Sequence, residues 1–102
     1  MIEIWITCPD RKTARRIAHA LIAKRLVACA NILPEIESLY RWKGKVENEP
    51  EVPLVVKTRA DNFDPVTDAV RKLHPCETPS IIGVTIERVT GDYLDWIYAE
   101  TH

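Results

Sequence analysis

The sequence predicts an α+β fold of the ferredoxin-like βαββαβ type, and its periodicities carry that prediction. Apolar residues alternate with period two in "IEIWIT" at the start and again in "IIGVTIERV" near the end. Two segments carry apolar stripes at helical spacing, and between them two long extended runs meet at "WKGK". The implied order is strand, helix, strand, strand, helix, strand, closed by a short C-terminal helix. Two helices are expected to cover one face of an antiparallel sheet. At 102 residues the chain is expected to form one domain, 1–102, around one core.

The first strand places Ile2, Ile4 and Ile6 on one face and Glu3, Trp5 and Thr7 on the other. Cys8-Pro9-Asp10 ends it, and Asp10 suits the N-cap of a helix whose stripe is Ala14, Ile17, Ala18, Leu21 and Ile22. The hairpin's first arm carries Ala30, Ile32, Ile36, Tyr40 and Trp42 on even positions, with a bulge or bend expected at Pro34. The return arm carries Val52, Leu54 and Val56, and Gly44 supplies the positive φ of the turn. Pro50 and Pro53 donate nothing to a ladder, so an edge or an interruption is expected there. Asp61 is the expected cap of the second helix, with a stripe of Phe63, Val66, Val70 and Leu73. Pro65 falls in its first turn and Pro75 ends it. The last strand alternates Ile82, Val84 and Ile86, and Asp92 is the expected cap of a final helix holding Leu94, Trp96 and Ile97.

Composition narrows the function. Fourteen basic and fifteen acidic side chains give a formal charge of -1, so no global basic field points to nucleic acid or an anionic membrane. RNA binding by such a sheet needs aromatic pairs on the central strands, and "IEIWIT" with "IIGVTIERV" offers one aromatic. No basic leader or membrane-length apolar stretch is evident, so a cytoplasmic protein is expected. Cys8, Cys29 and Cys76 are odd in number and widely spaced, which suits reduced thiols, with Cys29 a small buried residue of the run "LVACANIL".

The hairpin points to self-association. Arms of about 14 residues reach about 46 Å, whereas a globule of this size is only about 34 Å across. The overhanging tip exposes Leu39, Tyr40 and Trp42 beside an unpaired strand edge, and other copies of the chain would bury both.

The segments "ACANILPEIESLYRWKGKVE", "VVKT", "HPCETPSI" and "YLDWI" together resemble the CutA1 family of divalent-cation tolerance proteins. The resemblance runs from "TCPD" to "YLDWI". It implies a homotrimer with PII-like architecture, three hairpins locked round the axis, and a non-enzymatic response to metal ions with copper binding. It implies no required cofactor, with copper or another divalent metal as the candidate ligand. Where the family usually has tyrosine and a second glutamate, this chain has Cys76 and Ser80, so one carboxylate expected in the inter-subunit cleft is missing.

The stretch "LHPCETPSII" has three readings. As a metal site, His74, Cys76 and Glu77 offer nitrogen, sulfur and oxygen suited to copper or zinc, with Cys29 or Cys8 as further ligands if they lie near. As a nucleophile pair, His74 and Cys76 lack an orienting group and an oxyanion site, and a helix end favours a charged histidine. As a loop, His74 closes a helix and Glu77 is solvated or paired with Lys57 or an arginine of a neighbour. "TCPDRK" has Cys8 where a copper-chaperone motif begins but Arg11 where its second cysteine belongs, and it lacks the glycine-rich cradle of a phosphate hydrolase.

A second constellation is Lys57, Asn31 and Trp96, the expected ligands of a small anion in a cleft between subunits. This is the reading of a PII-like sensor, and a scaffolding trimer without catalysis is the remaining one. Trp5, Trp42 and Trp96 are expected in interfaces and core, and the basic face from Arg11 to Arg25 is expected to be solvated.

Overall fold

The computed structural model describes residues 1–102. The alternation of the first segment forms β1 (Ile2–Cys8), with Ile2, Ile4, Ile6 and Cys8 all buried. Asp10 caps α1 (Arg11–Ala23), its carboxylate accepting from the Thr13 N–H at 2.7 Å. Ala14, Ile17, Ala18 and Leu21 face the core, but Ile22 is exposed. Eight residues beyond Ala14 the helix has turned about 80° from that residue, which takes Ile22 off the edge of the stripe. A left-handed Arg25 (φ 57°) closes α1, with Leu26 N–H reaching Leu21 O and Arg25 N–H reaching Ile22 O, the paired bonds of a Schellman cap.

The hairpin's first arm is two strands, β2 (Cys29–Ile32) and β3 (Ile36–Trp42), and its return is a single strand, β4 (Lys45–Thr58). Lys43 (φ 49°) and Gly44 (φ 81°) both take positive φ, the geometry of a type I′ turn. Neither proline interrupts β4. The break falls on its partner, where Leu33, Pro34 and Glu35 stand between the Ile32–Leu54 and Ile36–Glu51 pairs and face only Val52 and Pro53.

That extra residue changes the side on which the first arm's even positions lie. Ala30 and Ile32 pair with Val56 and Leu54 on the helix side, whereas Ile36, Ser38 and Tyr40 pair with Glu51, Glu49 and Glu47 on the opposite side. The expected common face from Ala30 to Trp42 is therefore two faces.

The sheet order is β2-β4-β1-β5, all antiparallel, with β3 continuing along β4. β4 is consequently central in its second half and paired only with β3 in its first. The hairpin projects from the body, and the molecule measures 45 × 26 × 22 Å.

A 3-10 turn at Ala60–Asn62 precedes α2 (Phe63–Leu73), so Asp61 does not cap it. Asn62 takes that position, yet its buried amide donates instead to Leu26 O at 3.0 Å and Thr58 Oγ1 at 3.1 Å. Beyond α2 runs β5 (Ile81–Thr85), whose expected facing is reversed: Ile82 and Val84 are exposed, and Gly83 lies under the Phe63 ring. Register with β1 puts Gly83 opposite Ile4 on the helix side, where only a residue without a side chain leaves room for that ring.

Helix α3 (Gly91–Glu100) starts one residue before Asp92, which accepts from the Tyr93 N–H at 2.9 Å within the first turn. Its far end is held by cations. Arg59 donates to Tyr98 O at 2.7 Å and Thr101 O at 2.9 Å, and Arg25 donates to Ala99 O at 3.1 Å.

The core joins β1, β4, α1 and α2, while the other sheet face has no helix layer over its centre. Two rows cross that open face, Cys29–Lys57–Glu3–Val84 and Asn31–Val55–Trp5–Ile82. None of the three tryptophans lies in the core; Trp5, Trp42 and Trp96 are 39%, 38% and 42% exposed.

Gly83→Ala should destabilise the chain by about 1–3 kcal/mol in a denaturant titration, because its Cβ would meet Phe63 at 2.9 Å. The loss should shrink in the double variant with Phe63→Leu.

Candidate functional site

His74 follows α2 in extended conformation (ψ 129°) and its own N–H closes the helix on Val70 O at 2.8 Å. Pro75 disfavours α geometry at the residue before it, so His74 leaves the helix in extended form, and it is 8% exposed. Nε2 lies 2.7 Å from Thr7 O and Nδ1 accepts from the Cys76 N–H at 3.1 Å. An N–H can only donate, so Nδ1 is the acceptor and Nε2 carries the proton given to Thr7. The ring is the neutral Nε2–H tautomer, in place of the charged form expected at a helix end. It ties the end of β1 to the loop after α2.

This tie removes the nucleophile-pair reading. His74 meets the backbone of Cys76 and not its thiol, so the imidazole takes no proton from the sulfur. Burial first, then the Glu51 carboxylate, raises the Cys76 thiol above its ordinary 9.0, away from thiolate. Burial likewise pushes Cys8 up to about 11, with Asp10 and Cys76 adding to it.

The loop lies against the open side of the projecting hairpin, enclosing a cleft of about 750 Å³. Thr7, His74, Cys76, Glu77, Thr78, Pro79 and Ser80 form one wall, and Ile36, Glu37, Ser38, Leu39, Tyr40, Trp42 and Glu51 form the other. Glu77 pairs at 3.8 Å with Lys43 of the hairpin turn, and not with Lys57. Lys43 Nζ also lies 5.6 Å from the Trp42 ring centroid. Desolvation, then Glu51, Glu49 and Glu47, raises the Tyr40 phenol. The cleft is therefore aromatic and acidic.

Of the residues expected to bind metal, the structure brings His74, Cys76 and Glu77 to this cleft and leaves Cys29 out of it. No three His, Cys, Asp or Glu side chains are gathered around one point. Both nitrogens of His74 are already engaged, so a metal at that ring must replace a hydrogen bond.

Cys29 joins the second constellation instead. It is half-buried on the open face, not inside the core, because its odd position pairs with Lys57. Lys57 Nζ donates to Asn31 Oδ1 at 2.8 Å and the Cys29 thiol contacts the same oxygen at 3.6 Å. Tyr93 lies against Cys29, and burial followed by that thiol raises its phenol. Its ring centroid is 5.5 Å from that of Trp96. Lys57 and Asn31 thus share a neighbourhood that Cys29 and Tyr93 extend to Trp96.

Sequence reasoning missed Glu51 and Tyr93. The alternation of Glu47, Glu49 and Glu51 was a readable strand face, and the register from the turn pairs it with Tyr40, Ser38 and Ile36; the bulge decides only that this face is the side away from the helices. Tyr93 and Trp96 stand three apart on a helix, a spacing that marked them as neighbours.

The comparisons with known proteins agree with this architecture. Residues 2–100 match the model of the CutA1 divalent ion tolerance protein family. The chain belongs to the CutA1 family. It is 42% identical over 93 residues to Protein CutA of Homo sapiens, a match covering 91% of this chain and 52% of that protein. It spans about half the length of the mammalian relatives it matches. The solved structure of the divalent cation tolerance protein (Cut A1) from Thermus thermophilus superposes with a TM-score of 0.96 at 41% identity, covering 100% of both chains. The periplasmic divalent cation tolerance protein CutA from Archaeoglobus fulgidus superposes with 0.94 at 42% identity, over 98% of each. The ferredoxin-like fold is thereby that of CutA1 structures, and divalent-cation tolerance is the family's designated role.

Alkylation should separate the thiols. Cys8 should stay unmodified in the folded chain at pH 8 while Cys76 reacts, as read by mass spectrometry. Glu51→Gln should speed the Cys76 reaction by about two- to threefold, since removing that charge lowers the thiol pKa. Cys8 holds its proton more tightly folded than unfolded, so stability should fall as pH rises from 9.0 toward about 11. Cys8→Ala should flatten that alkaline limb.

Proposed function

We propose that this chain acts in divalent-cation tolerance as a non-catalytic, cytoplasmic homotrimer whose subunits meet through the projecting hairpin. The observation that carries the assembly is the hairpin itself. Leu39, Tyr40, Trp42 and Val46 are exposed on a two-stranded ribbon that the body does not cover. A two-stranded ribbon is marginal alone, so packing against other copies gives it a second layer. No helix is long and apolar enough to cross a membrane.

The cleft beside "HPCETPS" is the proposed point of cation response. Cys76, Glu77 and Glu51 line it without meeting at one point, and ligands from a second copy would complete a site that one chain leaves open. His74 then has a double part, since it organises the loop and could take a copper or zinc ion at Nδ1 only by releasing the Cys76 N–H. A role without catalysis is supported by the protonated Cys76 thiol and by a histidine whose nitrogens are committed to backbone groups.

Sedimentation equilibrium should give three times the 11.7 kDa subunit mass at micromolar concentration. Trp42→Ala should weaken assembly by about 2–4 kcal/mol. A folded monomer in the native chain would end the trimer reading.

Calorimetry with copper and zinc should show binding that falls by about tenfold or more in Cys76→Ser and Glu77→Gln. Unchanged affinity in both variants would remove the loop as a metal site. His74→Ala should cost about 1–3 kcal/mol of stability even without metal, because Thr7 O and the Cys76 N–H lose their partner.

A further inference from the structure

Charge is segregated along this chain. Residues 11–34 hold six of its fourteen Lys and Arg side chains and none of its fifteen Asp and Glu. Four of the six, Arg11, Lys12, Arg15 and Arg16, fall in the first two turns of α1, and all four are exposed. Cations there oppose the helix dipole, and the pairs Arg11–Arg15 and Lys12–Arg16 stand four apart, where like charges repel. The chain's ion pairs are Arg25–Glu100 and Lys43–Glu77, so none offsets this cluster. An arrangement that weakens its own helix and finds no counter-ion inside the subunit points to a ligand outside it.

The second helix adds to the cluster. Arg16 donates to Leu73 O at 2.8 Å, which seats the end of α2, with Arg71 and Lys72 exposed in its last turn, against the first half of α1. About 140° round α1 from Arg16, Arg11 donates to Leu33 O at 3.3 Å. Each bond uses one of five guanidinium N–H groups, so both arginines are held in place with donors to spare. Two acids neighbour the six cations on these helices. Asp10 is committed to the Thr13 N–H, and Asp68, one turn before Arg71 and Lys72, pairs with neither.

We infer that this cluster binds an oligophosphate, a run of several linked phosphates. Four arginines among the six cations supply the planar forks that match phosphate oxygens, and their spread over two helices suits a chain of charges better than a single one. Nucleic acid and lipid fit less well. Neither helix presents an exposed aromatic ring on which a base could stack, and Ile22 is the one large apolar side chain exposed on either. Asp10 already caps α1, so side chains and not the helix end make the site. The proposed assembly leaves this layer outside, because the helices cover the sheet face opposite the open one and six unpaired cations turned toward a three-fold axis would repel their own copies. The inference does not rest on metal binding in the cleft.

Tripolyphosphate in metal-free buffer is the probe, against the assembled native chain. Calorimetry should give saturable binding with Kd below about 100 µM at low salt, weakening as salt rises. Inorganic phosphate and citrate should bind at least about tenfold more weakly, and ATP should not exceed tripolyphosphate. The double variant Lys12→Glu with Arg15→Glu should lose about tenfold or more, whereas Lys24→Glu, about 18 Å along the same helix, should stay within about twofold of the native affinity. Acetylation mapped by mass spectrometry should reach Lys12 and Lys72 in the ligand-free assembly and be slowed at both by tripolyphosphate. If the double variant fails to fold, that protection in the native chain decides the question. Lys12 and Lys72 shielded without ligand, no slowing with it, equal loss in Lys24→Glu, citrate as tight as tripolyphosphate, or ATP tighter than it overturns the inference. Its failure would leave the trimer mass and the effects of Cys76→Ser and Glu77→Gln untouched.

Discussion

The three residues Leu33, Pro34 and Glu35, set against two on β4, are the constraint on which the rest depends. Backbone pairing forces each strand residue to share a face with its partner, so one extra residue exchanges faces for everything beyond it. Before the bulge, even positions feed the core. After it, Ile36, Ser38 and Tyr40 stand with Glu51, Glu49 and Glu47 on the open side and make the wall of the cleft. Pro34 lies within the bulge, and Pro53, opposite it, still offers its carbonyl to Leu33 N–H at 3.0 Å. The two prolines sit where the ladder is already broken on one side, which is where a residue without an N–H does least harm.

Polar groups inside the fold are then spent on holding loops in place. His74 uses both ring nitrogens to join the end of β1 to the turn after Pro75. Thr58 and Asn62 converge on the Leu26 carbonyl, joining the close of β4 to the segment after α1. Arg25 and Arg59 hold the carbonyl end of α3, with the Arg59 guanidinium 4.7 Å from the Tyr98 ring centroid. That clamp fixes the helix carrying Tyr93 and Trp96 at the β2 edge. The two neighbourhoods are thus built by separate devices: a histidine staple for the acidic cleft, and an arginine clamp beside Lys57.

The two neighbourhoods also differ in charge. The cleft concentrates Glu51 and Glu77 beside aromatic rings and already receives the chain's own Lys43. The open face presents Lys57 with no counter-ion.

Much of this was legible in the sequence. Ile2, Ile4 and Ile6, the Ala14–Leu21 stripe, the Asp10 cap and the Lys43-Gly44 turn are decided within a few residues of chain, where periodicity and cap chemistry suffice. The closeness of Asn31 to Lys57 was not fixed by the turn, since its register carried past residues 33–35 would set Asn31 opposite Val56, and the bulge sets it opposite Val55. What the sequence could not decide were matters of long-range pairing. Gly83 and not Ile82 faces the helices because Phe63, on another element, needs the space. Cys29 joins Lys57 and leaves His74 alone because β2 runs beside β4, far along the chain from the loop that follows α2. His74 is tied to β1 because Thr7 O, sixty-seven residues earlier, lies within its reach. Local propensity is additive along the chain, whereas faces, partners and proton positions depend on which distant backbone arrives opposite, and only the folded sheet decides that.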